Sequence, residues 1–232
     1  MRQILSFTSD LDRVSEELFA LTTNGGEEYC GQVIDTAVNA LPWSEDPEAL
    51  TTIFIAGNEP FTQGSVDPEV ACRRAIASGI TVNTIHCGPH SAGVSTGWEG
   101  GALVADSSFT SIDQDRAVAH VAAPQDDEIA RLGEEMNGTY VPFGVAGGEG
   151  QSRQAAQDGN ATTAGVGART QRAIAKASRH YRNSTWDLVD AVDQKQVDLA
   201  ELKTEELPEA MRTMSAEERR RYLEDKAAGG AS

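Results

Sequence analysis

The sequence has few aromatic residues, only three cysteines and no long apolar run. Aromatic side chains make up 6% of the 232 residues, and the apolar segment Thr52–Ala56 is far shorter than the roughly 20 residues that a membrane-spanning helix needs. The odd number of cysteines (Cys30, Cys72 and Cys87) argues against a disulfide-built scaffold. The first residues lack the apolar core of a signal peptide, so localisation stays open, and export is expected only if a longer form exists.

Positive charge is scarce as well. The chain carries 19 Lys and Arg against 36 Asp and Glu, a net charge of -17 with an isoelectric point near 4.5. Residues 1–100 alone hold 14 acidic and 4 basic side chains, a net charge of -10. A phosphate backbone or an anionic lipid surface would be repelled by this field, so we expect neither nucleic acid nor a membrane as a partner, whereas a cation suits the acidic front part.

The order of apolar runs and turn residues predicts an α/β fold for the front of the chain. Helices are predicted at Ser9–Leu21 and Tyr29–Leu41, the first with Ser9 and Asp12 as a capping box and with Leu11, Val14, Leu18 and Leu21 on one face. Thr52–Ala56 is typical of a strand buried on both faces. A helix capped by Asp67 and ended by Gly79 then leads to a strand at Ile80–Cys87, which completes a strand, helix, strand unit with parallel strands.

The rest of the chain changes gradually from mixed to helical. We expect a loop at Gly88–Gly97, a short helix through Leu103–Ala105, a strand at Phe109–Ile112 with a hairpin partner at Ala117–Val121, and a helix at Asp126–Met136. A β-like segment, Thr139–Phe143, and a flexible connection, Gly144–Gly150, follow. The expected domains are therefore a first domain at 1–113, a connecting region at 114–150, and a helical extension at 151–232 whose last residues, 227–232, are disordered.

Four stretches of the front part resemble the von Willebrand factor A family, and more narrowly a bacterial branch of it. They are Leu11–Leu21, Asn24–Gly31, Phe54–Gly64 and Val82–Gly88, and the segments Gln157–Ala161 and Tyr181–Ala191 resemble the C-terminal extension of that branch. The resemblance implies a doubly wound, mostly parallel sheet of the Rossmann-like type. It also implies that this chain is incomplete at its N-terminus, because it starts at a point that corresponds to a later strand of the family.

The resemblance further implies a metal-ion-dependent adhesion site, built from three loops at the carboxyl edge of the sheet. The first loop, Asp-x-Ser-x-Ser, is absent. Glu27 and Glu28 stand where the second loop usually has Thr, and Asn58 followed by Glu59 stands where the third has Asp. These four residues are the candidate ligands for Mg²⁺, or for Mn²⁺ or Ca²⁺, since hard cations prefer oxygen donors. The alternative is that they form a solvated acidic rim.

The cysteines, histidines and one serine motif allow further interpretations. Cys30 and Cys87 could form a disulfide or remain buried free thiols, and His86, Cys87 and His90 could bind zinc, although packing is the simpler role for His86. Gly93–Gly97 matches the Gly-x-Ser-x-Gly pattern of hydrolases, but no strand is predicted to run directly into it.

The helical extension has one basic helix face, formed by Arg169, Arg172, Lys176, Arg179 and Arg182. It suits either docking onto the acidic front half of the chain or an anionic partner. Trp186, Leu188, Val189 and Val192 are expected to anchor the extension in a core.

The sequence favours a non-enzymatic binding or scaffold protein. The resemblance implies that a protein partner supplies a carboxylate that completes the coordination of bound Mg²⁺. The alternatives are a metal-assisted hydrolase that uses Glu27, Glu28 or Glu59, and an incomplete fragment that needs another chain to fold. In any of these cases, the strand at Thr52–Ala56 is expected to have an unpaired, apolar edge that could pair with a partner or aggregate.

Overall fold

The computed structural model describes residues 2–22, 26–112 and 121–230, and in this part of the chain it contains ten α-helices and three β-strands. In chain order the elements are α1 (Leu11–Phe19), α2 (Cys30–Ala40), β1 (Thr52–Gly57), α3 (Pro68–Ala77), β2 (Thr81–Cys87), α4 (His90–Ser95), α5 (Trp98–Val104), β3 (Phe109–Ile112), α6 (Asp126–Glu135), α7 (Gly147–Ala164), α8 (Val166–Lys176), α9 (Leu188–Asp193) and α10 (Ala216–Gly230). Three short 3₁₀ helices lie at Met136–Thr139, Thr204–Glu206 and Glu209–Met211.

The chain divides into two compact units. The first unit consists of Met1–Arg2 and Thr22–Ala119, and the second consists of Gln3–Leu21 and His120–Ser232. Helix α1, which we expected in the first domain, therefore clusters with the helical second unit. No helix among the described residues is both long and apolar enough to cross a bilayer.

The first unit is a three-stranded parallel sheet with helices, which confirms an α/β fold at that level. The strand order is β1-β2-β3, and Ile55 of β1 lies opposite Thr84 of β2, while Ile85 of β2 lies opposite Thr110 of β3. Helix α3 connects β1 to β2, and α4 with α5 connects β2 to β3. Both connections advance in the same direction across the sheet, so right-handed crossovers place their helices on the same face.

One face of this sheet is covered and the other is bare. Val82, Thr84 and His86 of β2 point to the covered face, where the Thr84 hydroxyl donates a 2.8 Å hydrogen bond to the carbonyl oxygen of Trp98 in α5. On the opposite face Phe54 is 68% exposed and Ile112 is 43% exposed. The expectation that β1 is buried on both faces was therefore wrong, because the described residues place helices on one side only.

The second unit is helical and has a small apolar core. Val141, Leu188, Leu207, Met211 and Leu223 form this core. Trp186 lies beside Gly150 of α7, where a Cβ atom would come within 2.2 Å of the indole ring, so glycine allows this close packing. Trp186 and Leu188 are both fully buried, which confirms them as anchors of the extension.

A buried charged cluster joins three helices of the second unit and the segment that follows the third of them. We define it as Asp12 of α1, Asp158 of α7, Arg172 and Lys176 of α8, and Tyr181. Asp12 accepts a 2.5 Å hydrogen bond from the Tyr181 hydroxyl, and its other oxygen lies 2.6 Å from Arg172 Nη1. Asp158 lies 2.8 Å from Arg172 Nε and 2.9 Å from Lys176 Nζ. Two carboxylates thus balance two buried cations, so these basic residues of α8 pair with acidic residues of the chain itself.

The apolar residues that share one face of α1 do not form its buried face. Leu11, Leu18 and Leu21 are exposed, Leu18 by 62%, whereas Asp12 is almost fully buried. The N-cap is Asp10, whose carboxylate accepts a 2.9 Å hydrogen bond from the Arg13 amide. The buried face of α1 is thus defined by a charged residue rather than by leucines, because its partners Arg172 and Tyr181 are charged and polar.

Several other boundaries differ from the sequence-based expectations. Helix α4 occupies most of the predicted loop Gly88–Gly97, and helix α7 begins inside the predicted flexible connection. The β-like segment Thr139–Phe143 contributes only an isolated bridge between Pro142 and Asp187. Helix α10 continues to Gly230, through most of the end that we expected to be disordered. The predicted hairpin turn and most of its second strand, residues 113–120, lie outside the described residues.

Candidate binding site at the carboxyl edge of the sheet

The acidic turn before α2 has an unusual backbone at its last residue. Tyr29 adopts the left-handed conformation, with φ of 38° and ψ of 51°, directly before Cys30 begins α2. Gly64 faces its ring, and a Cβ atom there would lie 2.5 Å from Tyr29 Cδ1. The Tyr29 hydroxyl donates a hydrogen bond to the carboxylate of Glu27. These contacts fix the direction in which the acidic turn enters the helix.

Glu28 connects this turn to the loop that follows β1. Its Oε1 atom accepts a hydrogen bond from the Asn58 amide at 3.2 Å, and its Oε2 atom accepts one from the Glu59 amide at 3.3 Å. The amide of Glu28 itself donates to Oε1 of Gln63 at 2.6 Å. The carboxylate is thus bound at the carboxyl end of β1 by charge-assisted hydrogen bonds from main-chain donors.

Gly57, the last residue of β1, makes this approach possible. A Cβ atom at Gly57 would lie 1.7 Å from Glu28 Oε2 and 2.9 Å from Cη2 of Trp98. Trp98 is in turn fixed by its indole N–H, which donates a 2.9 Å hydrogen bond to the carbonyl oxygen of Glu59. Any side chain at position 57 would therefore displace the carboxylate, the indole or both.

The structure brings two of the predicted loops together. Glu28 and the pair Asn58 and Glu59 are in direct contact, as the two-loop interpretation requires, but the contact is made through the main chain of the second loop. Glu27 and Asn58 are exposed and Glu59 is half-buried. Within residues 2–22, 26–112 and 121–230, no three His, Cys, Asp or Glu side chains are grouped so that they could hold a metal ion. Both carboxylates of the acidic turn already accept hydrogen bonds, Glu27 from the Tyr29 hydroxyl and Glu28 from two amides.

The cysteines are free thiols, as the simpler interpretation predicted. Cys30 and Cys72 are buried and Cys87 is half-buried. Burial, followed by the nearby charge of Glu28, raises the pKa of Cys30 to about 12, and burial followed by Glu69 raises that of Cys72 to about 11. Burial and Glu28 also raise the pKa of the Cys87 thiol. All three thiols are therefore protonated at neutral pH, which makes them poor nucleophiles.

His86 packs in the core, as expected. Its ring centroid lies 5.8 Å from that of Trp98, and its Nδ1 atom has no hydrogen-bond partner among the described residues. The ring of His90 packs against Phe109 with centroids 5.2 Å apart.

The serine of the Gly-x-Ser-x-Gly match lies in a different local structure from a nucleophile elbow. Ser95 is the last residue of α4, and its hydroxyl donates a 3.1 Å hydrogen bond to the carbonyl oxygen of Ala92. Strand β2 ends at Cys87, eight positions earlier. The strand and turn that would expose a nucleophile are therefore not formed at this serine.

The sequence analysis missed the bare face of the sheet. In addition to Phe54 and Ile112, this face includes Ala56, Ile85 and Cys87, since these residues alternate with the buried positions of the three strands. The run Ile53, Phe54, Ile55 is apolar at every position, so its hydropathy alone cannot tell a covered face from a bare one. Because apolar and polar residues do not alternate along this run, the sequence gives no sign of which face is exposed.

Comparison with known proteins gives no relatives for this chain. We find no match among protein-family models, among curated proteins or among solved structures.

Proposed function

We propose that the chain is a non-enzymatic protein-recognition module of the von Willebrand factor A type, and that its first unit contacts a protein partner through the open side of the sheet. The observation that supports this proposal most is the bare face of the sheet, where Phe54 and Ile112 are exposed, and Phe54 lies on β1, whose outer edge pairs with no other described strand. Exposed apolar patches on a protein surface mark interaction sites.

Three further observations agree with the proposed type. The strands are parallel and joined by helices, the acidic turn lies against the loop at the carboxyl end of β1, and ligands of open α/β sheets bind at this edge. The thiols are protonated, and Ser95 is not placed as a nucleophile, so these residues give no support to a hydrolytic activity.

A photo-crosslinking side chain at position 54 tests the proposal. We expect a discrete protein adduct when p-benzoylphenylalanine replaces Phe54 in cells that express the chain, because the probe then lies inside the interface. Leu103 of α5 is the matched control, since it is an apolar residue of the same unit and is 72% exposed. Adducts should be absent or unrelated at position 103. An identical set of adducts at both positions, or none at position 54, would contradict recognition through this face.

A divalent cation bound by Glu27, Glu28, Asn58 and Glu59 is the second part of the proposal. Glu27 already accepts a side-chain hydrogen bond and Glu28 accepts two from amides, so we expect weak binding of Mg²⁺, with a Kd on the order of 10⁻³ M. Isothermal titration calorimetry measures this affinity for Mg²⁺. Glu59→Gln should abolish saturable binding, while the control Glu45→Gln, at the other end of β1, should not. A lack of saturable binding to the unsubstituted chain would remove the cation and leave protein recognition in place.

A further inference from the structure

The outer edge of β1 is open for pairing. On its inner side β1 pairs with β2 in parallel over all six residues, Thr52 to Gly57, and no other described strand pairs with it. The six residues include no charge and no proline. Natural edge strands are usually protected by Lys, Pro, a bulge or a covering segment, and an edge without these features is a template for another strand.

The described segment that contains this edge is acidic. Residues 26–112 contain eleven Asp and Glu and two Arg, a net charge of -9. Both arginines lie on α3 and are paired, Arg73 with Glu69 at 3.3 Å and Arg74 with Asp35. No unpaired Lys or Arg is thus left in this described segment. A partner that approaches the sheet meets a negative field without compensating cations.

Acidic residues also lie at both ends of β1. Glu45, Asp46 and Glu48 precede the strand and are exposed, and Glu59 follows it by two residues. A strand that adds to this edge would therefore have its two ends near carboxylates and its centre beside Phe54. The charge pattern matches a segment with basic ends and an apolar centre.

We propose that the occupant of this edge is an extended, cationic segment of another protein, which adds to β1 as a fourth strand. Main-chain hydrogen bonds would hold the segment, apolar side chains at alternate positions would pack beside Phe54, and Lys or Arg at its ends would face the acidic flanks. This inference rests on the proposed function and specifies the chemistry of its partner.

A second copy of the chain does not suit the same edge. If two copies paired through β1 in antiparallel orientation, Glu59 of one would approach Glu45, Asp46 and Glu48 of the other. In parallel orientation, each acidic end would approach its own equivalent. Like charges meet in either case, which disfavours this pairing.

Matched synthetic peptides test the inference with the full chain. The probe is a fluorescently labelled peptide with a core of alternating valine and threonine and two lysines at each end, and the control has two glutamates at each end. We expect the lysine peptide to bind about tenfold or more tightly in fluorescence anisotropy, because several exposed charge pairs each contribute modestly. Raising the salt concentration should narrow this difference. N-methylation of alternate core amides should abolish binding, since it removes the donors that pair with β1.

Protein variants locate the peptide. Phe54→Lys should weaken binding of the lysine peptide by more than tenfold, because it puts a like charge on the edge. The double variant Glu45→Gln with Glu48→Gln should weaken it about threefold, whereas Glu99→Gln, on α5, should leave it unchanged. All four positions are solvent-accessible, and circular dichroism checks that each variant is folded.

Four outcomes would overturn the inference. Equal affinity for lysine and glutamate peptides would exclude a cationic partner, and binding that survives N-methylation would show adsorption by charge alone. If no peptide binds but a specific crosslinked adduct forms at position 54, strand addition is excluded and the proposed function is kept. If no crosslinked adduct forms at position 54, the proposed function is removed as well. Dimerisation in sedimentation velocity that Phe54→Lys abolishes would identify a second copy as the occupant.

Discussion

Replacing Asp12 by alanine is expected to lower the free energy of unfolding of the second unit by about 3 kcal/mol, at the lower end of the range for a broken buried ion pair. The carboxylate is 1% exposed and binds Arg172 and the Tyr181 hydroxyl. Its removal leaves part of the Arg172 charge uncompensated and the buried Tyr181 hydroxyl without an acceptor for its proton. The effect stays at the lower end because Asp158 still pairs with Arg172.

Urea denaturation followed by tryptophan fluorescence measures this loss, since Trp186 is buried in the second unit. Glu17→Gln is the matched control. Glu17 also lies on α1 and pairs with Arg13 at 2.7 Å, but both side chains are partly exposed, so its loss should cost less than about 0.5 kcal/mol. If Asp12→Ala and Glu17→Gln had the same small effect, the charged cluster would not hold α1 in place.

Replacing Gly57 by alanine is expected to destabilise the first unit by about 2 to 3 kcal/mol. The added methyl group would enter the space of the Glu28 carboxylate and the Trp98 ring, and overpacking of this kind typically costs about 1 to 3 kcal/mol. Displacement of the carboxylate also leaves the amides of Asn58 and Glu59 without their acceptor, at a further cost of about 1 kcal/mol.

Thermal or urea unfolding of three variants besides Gly57→Ala isolates the cause: Gly100→Ala, Glu28→Ala and the double variant Gly57→Ala with Glu28→Ala. In Gly100→Ala the new Cβ atom has nothing within 4 Å and lies inside α5, so this control should be neutral or stabilising by about 0.5 kcal/mol. Glu28→Ala removes the group that Gly57→Ala would displace. The double variant should therefore lose clearly less stability than the sum of the two single variants. Strict additivity would show that the carboxylate and Gly57 do not interact.

Local signals were sufficient to predict the strand, helix, strand unit formed by β1, α3 and β2. Asp67 was expected to cap α3, and its carboxylate accepts hydrogen bonds from the amides of Glu69 at 2.8 Å and Val70 at 3.4 Å. Gly79, with φ of 75°, follows this helix, and β2 begins at Thr81, one residue after the predicted start of that strand. Caps, glycines and prolines act within a few residues, so the sequence shows them directly.

The features that could not be predicted depend on contacts between residues that are far apart in the sequence. Asp12 is buried because Arg172 and Tyr181 lie 160 and 169 positions further along the chain, and no periodicity in α1 shows this. The same holds for the candidate site. Glu28 accepts the Glu59 amide, a contact that depends on the missing Cβ atom of Gly57 and that no local pattern in the sequence shows.

The order β1-β2-β3 also limits how the bare face can be covered. Both described crossovers advance away from β1 with their helices on one face. Suppose that a partner strand pairs in parallel with the outer edge of β1, and that the partner chain continues to a second strand further out from the sheet. The connection between these two partner strands then advances in the opposite direction from the connections within this chain. Right-handedness then places its helix on the other face, over Phe54. A single strand-helix-strand segment from another molecule would thus extend the edge and cover the apolar face in one binding event.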